Sequence, residues 1–123
     1  MDEQKLLMIM TSGANTPTRC AAPFAMATVA AVMDSEVAMV FNMDGISLLK
    51  KGVAENVYAL EGGMSALEFL RQAKEAGVSI YACAPALDLY HMTKADLIDE
   101  VDEVVGGAWV IEEGYESDMV LTF

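Results

Sequence analysis

The chain has 123 residues, 54% of them hydrophobic, which suits one compact domain over 1–123 and leaves too little sequence for a second core. Its net charge of -12, from 19 acidic against 7 basic side chains, repels nucleic-acid phosphates and an anionic membrane face, so direct nucleic-acid binding is disfavoured. The longest uncharged apolar stretch, Cys20 to Met33, falls short of the roughly 20 residues that cross a bilayer, and the start Met1-Asp2-Glu3 lacks the positive region of an export signal, so a cytoplasmic protein is expected.

Lys5 to Thr11, KLLMIMT, is a continuous apolar run closed by Ser12-Gly13, the pattern of a strand buried on both faces. The alanine-rich segment beyond the 11–19 loop predicts a helix from about Thr18 or Arg19 to Met33, with Pro23 near its first turn, where a missing N–H is tolerated. Asp34-Ser35 ends it, and EVAMVFN, 36–42, predicts a second buried strand. Asp44 is placed to cap a short helix over GISLLKK. After Gly62-Gly63, Ser65 and Glu68 have the spacing of a capping box, opening a helix that runs to Ala76 and stops at Gly77. Leu67, Leu70 and Ala73 take its inner face, while Arg71 and Glu75 are spaced to pair at i, i+4 on the wet face. VSIYACA predicts a third strand ended by Pro85, and Thr93 is placed to cap a helix over KADLIDEV. DEVVGG predicts a short fourth strand and a double-glycine turn, AWVIEEGY a last helix, and DMVLTF a terminal strand. Strands alternating with helices at this spacing predict an α/β fold, a parallel sheet between helix layers with right-handed crossovers.

In such a sheet, ligands bind beyond the carboxyl ends of the strands. Cys83 stands there, at the end of the third strand, and two readings are open: a small buried apolar residue, or a thiolate supported by a helix start after Pro85. Cys20, beside Arg19 in the predicted first helical turn, has the same two readings, with filler the plainer one. The two could also cycle through a disulfide if their Cα atoms lie within about 7 Å. His91, the one histidine, is a candidate thiol partner or a solvated loop residue. The loop TSGANTPTR, 11–19, is a candidate cradle for a nucleotide or flavin phosphate, although it has neither GxGxxG nor GxxxxGK[ST]. Two cysteines and one histidine do not fill a zinc shell, so neither a metal nor a cofactor is expected. The carboxylates at Asp96, Asp99, Glu100, Asp102 and Glu103 read as a solvated face, and the ten methionines as core filling.

The order of features resembles the DsrE/DsrF-like family, which includes sulfur-relay subunits of the TusD type: RCAAPFAMATVAAVM, then MVFNMDGISLLKKG, then IYACAPALDLYHMTKADLIDEVDEVVGG, and the apolar end DMVLTF. The most specific pieces are Phe41 to Gly45 with Leu48-Leu49-Lys50, and Tyr81-Ala82-Cys83 with Asp96-Leu97. The resemblance implies a three-layer α/β/α sandwich with a mostly parallel sheet of about five strands. It also implies homo-oligomers, and a sulfur carrier or sulfurtransferase in which Cys83 accepts sulfane sulfur and passes it from a donor protein to an acceptor's thiol. Cys20 matches the additional first-helix cysteine of a subset of members. Relay subunits of the tRNA-thiolation type tend to follow the cysteine with glycine and arginine, where this chain has Ala84-Pro85-Ala86. The alternative reading is a non-catalytic oligomeric ligand-binding module using the 11–19 loop.

Overall fold

The structure, a computed structural model, describes residues 3–123; Met1 and Asp2, on which the export-signal reading partly rests, lie outside them. The apolar runs become five strands of one all-parallel sheet: β1 (Lys5–Met10), β2 (Glu36–Phe41), β3 (Ser79–Cys83), β4 (Glu103–Val105) and β5 (Met119–Thr122), in the order β4-β3-β2-β1-β5. Four helices connect or flank them: α1 (Ala22–Val32), α2 (Ala66–Glu75), α3 (Ala84–Leu89) and α4 (Gly107–Glu116). Among the described residues no helix is long and apolar enough to cross a membrane.

Side chains alternate across each strand, and the register Met8↔Met39↔Ile80 shows which residues share a face. Met8, Met10, Met39, Phe41, Ile80 and Ala82 form the buried face under α1 and α2, where Phe24 of α1 stacks on Phe41 at 5.9 Å between ring centroids. The other face carries Lys5, Leu7, Ile9, Val40 and Tyr81 and is crossed by α4. There Lys5 Nζ lies 3.0 Å from Glu113, and Trp109 packs on Tyr81 at 4.4 Å. This is the expected three-layer α/β/α sandwich, with a thin third layer of one helix.

Several local expectations are corrected by the fold. The segment 17–33 divides into a 3-10 turn (Pro17–Arg19) and α1, which begins at Ala22 so that Pro23 falls in its first turn. GISLLKK is not α-helical; a 3-10 stretch runs over Met43–Leu49, capped by the Asn42 side chain rather than Asp44. Only one 3-10 turn, Lys94–Asp96, forms where a helix over 94–101 is predicted. Asp96 turns back onto the Thr93 amide at 2.8 Å to close a capping box, and Ile98 then donates to the Leu49 carbonyl. Arg71 does not pair with Glu75 but reaches Glu100, 29 residues away, at 2.7 Å. The acidic run is in large part structural: Asp102 accepts from Lys74 and, at 2.8 Å, from the Ile80 amide, fastening the β3–β4 connection to α2 and the sheet.

Candidate functional site at the carboxyl ends of β3 and β4

Adjacent strands β3 and β4 send their chains to opposite faces. The connection leaving β3 lies on the α2 side, where Glu100 and Asp102 meet Arg71 and Lys74, whereas the connection leaving β4 becomes α4 on the other side. In open α/β sheets, such divergence beyond the carboxyl ends of two adjacent strands marks the place where ligands bind. Cys83 is the last residue of β3, the Cα partner of Val105 at the end of β4, and the N-cap of α3. The pleat puts it on the face it shares with Tyr81, on which Trp109 of α4 packs. Cys83 is 4% exposed.

Val105 is followed at once by Gly106, the N-cap of α4, and Gly107, its first residue. Gly106 has no side chain with which to cap α4, so the first-turn N–H groups have no side-chain partner. Read along the chain, Gly106-Gly107 is only a turn. A strand, two glycines and an immediate helix are the signal that marks them as a helix start at a strand's carboxyl end.

The loops around this end of the sheet are clamped to one another. A Cβ built on Gly13 would stand 1.9 Å from the Asp44 carbonyl oxygen, and one on Gly45 would stand 2.1 Å from that of Met10, so these backbones approach as only glycine allows. Ser47 Oγ accepts from the Ala14 amide at 3.0 Å and donates to the Asp44 carbonyl at 2.7 Å. The Asp44 carboxylate accepts from the Tyr90 hydroxyl and, at 3.3 Å, from Asn15 Nδ2, joining three loops. The Tyr90 hydrogen bond, helped by that of Asn15, lowers the Asp44 pKa below its usual 3.8.

Cys20 has a different environment. It is 1% exposed, and its thiol donates to the Gly13 carbonyl at 3.2 Å and the Thr16 carbonyl at 3.4 Å. Burial raises its pKa above the usual 9.0. Its place is the cap of the 3-10 turn rather than the first turn of α1. Both cysteines are free thiols. Cys20 lies in the loop after β1 and Cys83 ends β3, with β2 between those strands. His91, with a left-handed φ of 53°, lies past the opposite end of α3 from Cys83, about 12 Å along a helical rise. The fold therefore does not bring it to the thiol.

The 11–19 loop uses its amides internally. Thr11 and Ser12 donate to the Phe123 carbonyl, Thr16 to Gly13, Arg19 to Thr16, and Ala14 to Ser47. Few N–H groups remain for a phosphate.

A model of the DsrE/DsrF-like family matches residues 4–123. The chain is 30% identical to a protein of Allochromatium vinosum named sulfur carrier protein DsrE2, in an alignment covering 98% of this chain and 99% of that one. Among solved structures, the fold is similar to the ychN protein from E. coli (TM-score 0.73, 15% identity, 99% of this chain and 100% of that one). It is also similar to MTH1491 from Methanobacterium thermoautotrophicum, a protein of unknown function (TM-score 0.67, 16% identity, 99% and 100%).

Proposed function

The chain belongs to the DsrE/DsrF-like family, and on that premise we propose that it is a sulfur carrier of the reducing cytoplasm, with Cys83 as the carrying residue. The single observation that carries this reading is the position of Cys83 at the carboxyl end of β3, in register with Val105 at the end of β4, where the connections from the two strands diverge. A relative named as a sulfur carrier, similar over nearly the whole of both chains, supports it.

The chemistry needs one nucleophilic sulfur and no redox partner. The Cys83 thiolate attacks the outer sulfur of a donor persulfide, R–S–SH. A new S–S bond forms to Cys83, the donor's S–S bond breaks, and R–S⁻ departs with the bonding pair. In the reverse sense, an acceptor thiolate attacks the outer sulfur of the Cys83 persulfide, takes it over and releases the Cys83 thiolate. Charge, protons and electrons balance in each step.

Cys20 has a structural part in this reading, its thiol holding the 13–16 turn through two carbonyls. The phosphate-cradle reading has no comparable support, because the loop amides are engaged within the protein.

Carrier function is joined to self-assembly, with donor and acceptor proteins as partners. In α1 the outward stripe Ala22, Ala25, Met26, Val29, Val32 and Met33 is entirely apolar, against the usual polar outer face of a surface helix. Met26, Val29, Val32 and Met33, with Met119 on the neighbouring β5, form one exposed apolar patch. A second copy is the occupant that suits it: on a chain of net charge -12, this stripe is free of acidic side chains.

The decisive test is sulfane-sulfur loading followed by intact-mass analysis of wild type, Cys20→Ser and Cys83→Ser. One added sulfur on the first two and none on Cys83→Ser is expected. Unloaded wild type, or loading that survives Cys83→Ser, overturns the assignment.

A further inference from the structure

We propose that the cavity between the end of β5 and the start of α1 is a binding site for a small organic carboxylate, held by Arg19, the Ser12 hydroxyl and the first N–H groups of α1. It is a second site, and it does not depend on Cys83.

The topology provides the place. Strands β1 to β4 follow one another outward across the sheet, and β5 then joins β1 from the other side, so the strand order turns between β1 and β5. The crossovers β1–α1–β2 and β4–α4–β5 run in opposite directions, and the right-handed rule puts their helices on opposite faces. Open α/β sheets bind ligands at such a switch point, beyond the carboxyl ends of the strands. A cavity of about 420 Å³ lies there, within the range of small-molecule sites, with Ser12, Thr18, Arg19, Ala22, Pro23 and Phe123 on its wall.

Ser12 points to a ligand. It is 7% exposed, and Ser65 is the other buried polar residue among those described. The Ser65 hydroxyl accepts from the Glu68 amide and caps α2, and the hydroxyls of Thr11 and Thr16 donate to the Phe123 and Gly13 carbonyls. The Ser12 amide donates to the Phe123 carbonyl at 3.2 Å, but its hydroxyl has no partner among the described residues, which costs free energy at a buried position. Among those residues no buried side-chain oxygen or nitrogen is both sealed and unpaired, so this hydroxyl keeps an opening, and Ser12 borders the cavity.

The rest of the wall sets the ligand's charge. Arg19 is exposed and pairs with no carboxylate among the described residues, whereas Lys5, Arg71 and Lys74 all do. Its guanidinium repels cations and offers a planar fork that fits a carboxylate. Ala21 has no capping side chain and Pro23 no N–H, so the Ala22 and Phe24 amides have no protein partner and point out of the helix start. These donors are separate from the 11–19 loop amides that are engaged within the protein. One guanidinium balances one negative charge, and a chain of net charge -12 penalises a second, so a carboxylate suits the site better than a phosphate dianion. Pro23 and Phe123 are apolar members of the wall, suited to a hydrocarbon body.

Benzoate is the probe, titrated into the full chain and followed by amide NMR, with benzamide and inorganic phosphate as comparisons. Saturable shifts at Ser12, Arg19, Ala22 and Phe24 are expected, with a Kd on the order of 1 mM. Arg19→Gln should weaken binding by about tenfold or more and Ser12→Ala by roughly threefold to tenfold, whereas Lys94→Gln, at an exposed cation elsewhere, should leave it unchanged. Without the probe, Ser12→Ala should hold Tm or raise it, because the hydroxyl it removes has no partner. The proposal is overturned by a lack of saturation, by benzamide or phosphate binding as tightly as benzoate, or by undiminished binding in Arg19→Gln or Ser12→Ala. Loss in Lys94→Gln equal to that in Arg19→Gln, or a lowered Tm in Ser12→Ala, overturns it as well.

Discussion

Two glycine-to-alanine substitutions separate the clamped from the open parts of this sheet edge. In Gly45→Ala the new methyl would stand 2.1 Å from the Met10 carbonyl oxygen and 2.9 Å from its carbon, both backbone atoms, where ordinary contact begins at 3.4 Å. Relief requires the end of β1 and the turn after β2 to part by more than 1 Å. The same Met10 oxygen accepts from the Asn42 amide at 3.0 Å, so that bond is lost or stretched as well. Overpacking of about 2 kcal/mol and a lost hydrogen bond of about 1 kcal/mol predict a destabilisation of roughly 3 kcal/mol. For a chain of this length each kcal/mol moves Tm by about 4 °C, so a fall of about 12 °C is expected. Gly107→Ala should behave oppositely, holding Tm or raising it by a few degrees through better helix propensity, about 1 kcal/mol at most. Thermal melts followed by circular dichroism read both variants. A Gly45→Ala melt within about 2 °C of wild type would refute the clamp, because overpacking alone is worth more than that.

Three further outcomes follow from the same contacts. Val29→Glu and Met33→Glu place charge in the apolar stripe of α1 and should convert the assembly to monomers by light scattering; wild type that is already monomeric refutes the interface. On the acid side, Asp44 and Asp96 have lowered pKa values, Asp44 through Tyr90 and Asp96 through the Thr93 amide; their stabilisation is present above the unfolded value of 3.8 and is lost as pH falls through the folded values. On the alkaline side, burial raises Cys20 and the Glu113 hydrogen bond raises Lys5, so their stabilisation is complete below 9.0 and 10.5 respectively and is lost as pH rises through the folded values. Denaturant melts across pH should therefore show a plateau between these limits, and a stability maximum near pH 3 would contradict the pairing. A thiol reagent should label Cys20 only at the rate of unfolding; folded-state labelling of Cys20 as fast as that of Cys83 would rule out its structural part.

The strands were legible because parallel strands buried on both faces leave uninterrupted apolar runs, as in KLLMIM and EVAMVF, and a single sequence suffices to see such runs. Periodicity failed where a local pattern had a distant competitor. KADLIDEV has the composition of a helix, yet Asp96 caps its own first turn and Ile98 is taken by the Leu49 carbonyl. Arg71 had Glu75 at the right spacing, yet Glu100 arrives from the far end of the β3–β4 connection. The candidate site divides in the same way. Cys83 could be found because a strand end followed by proline is a local signal. Its neighbours could not, because nothing between residues 84 and 105 reveals that β4 pairs with β3 and not with another strand. Strand order places β5 beside β1, at the opposite edge from β4, so the chain leaving β4 must cross the whole sheet on the free face. That crossing carries α4 over β3, where Trp109 packs on Tyr81. The candidate thiol is thus a local feature of the sequence, while the strand and helix that lie beside it are set by topology.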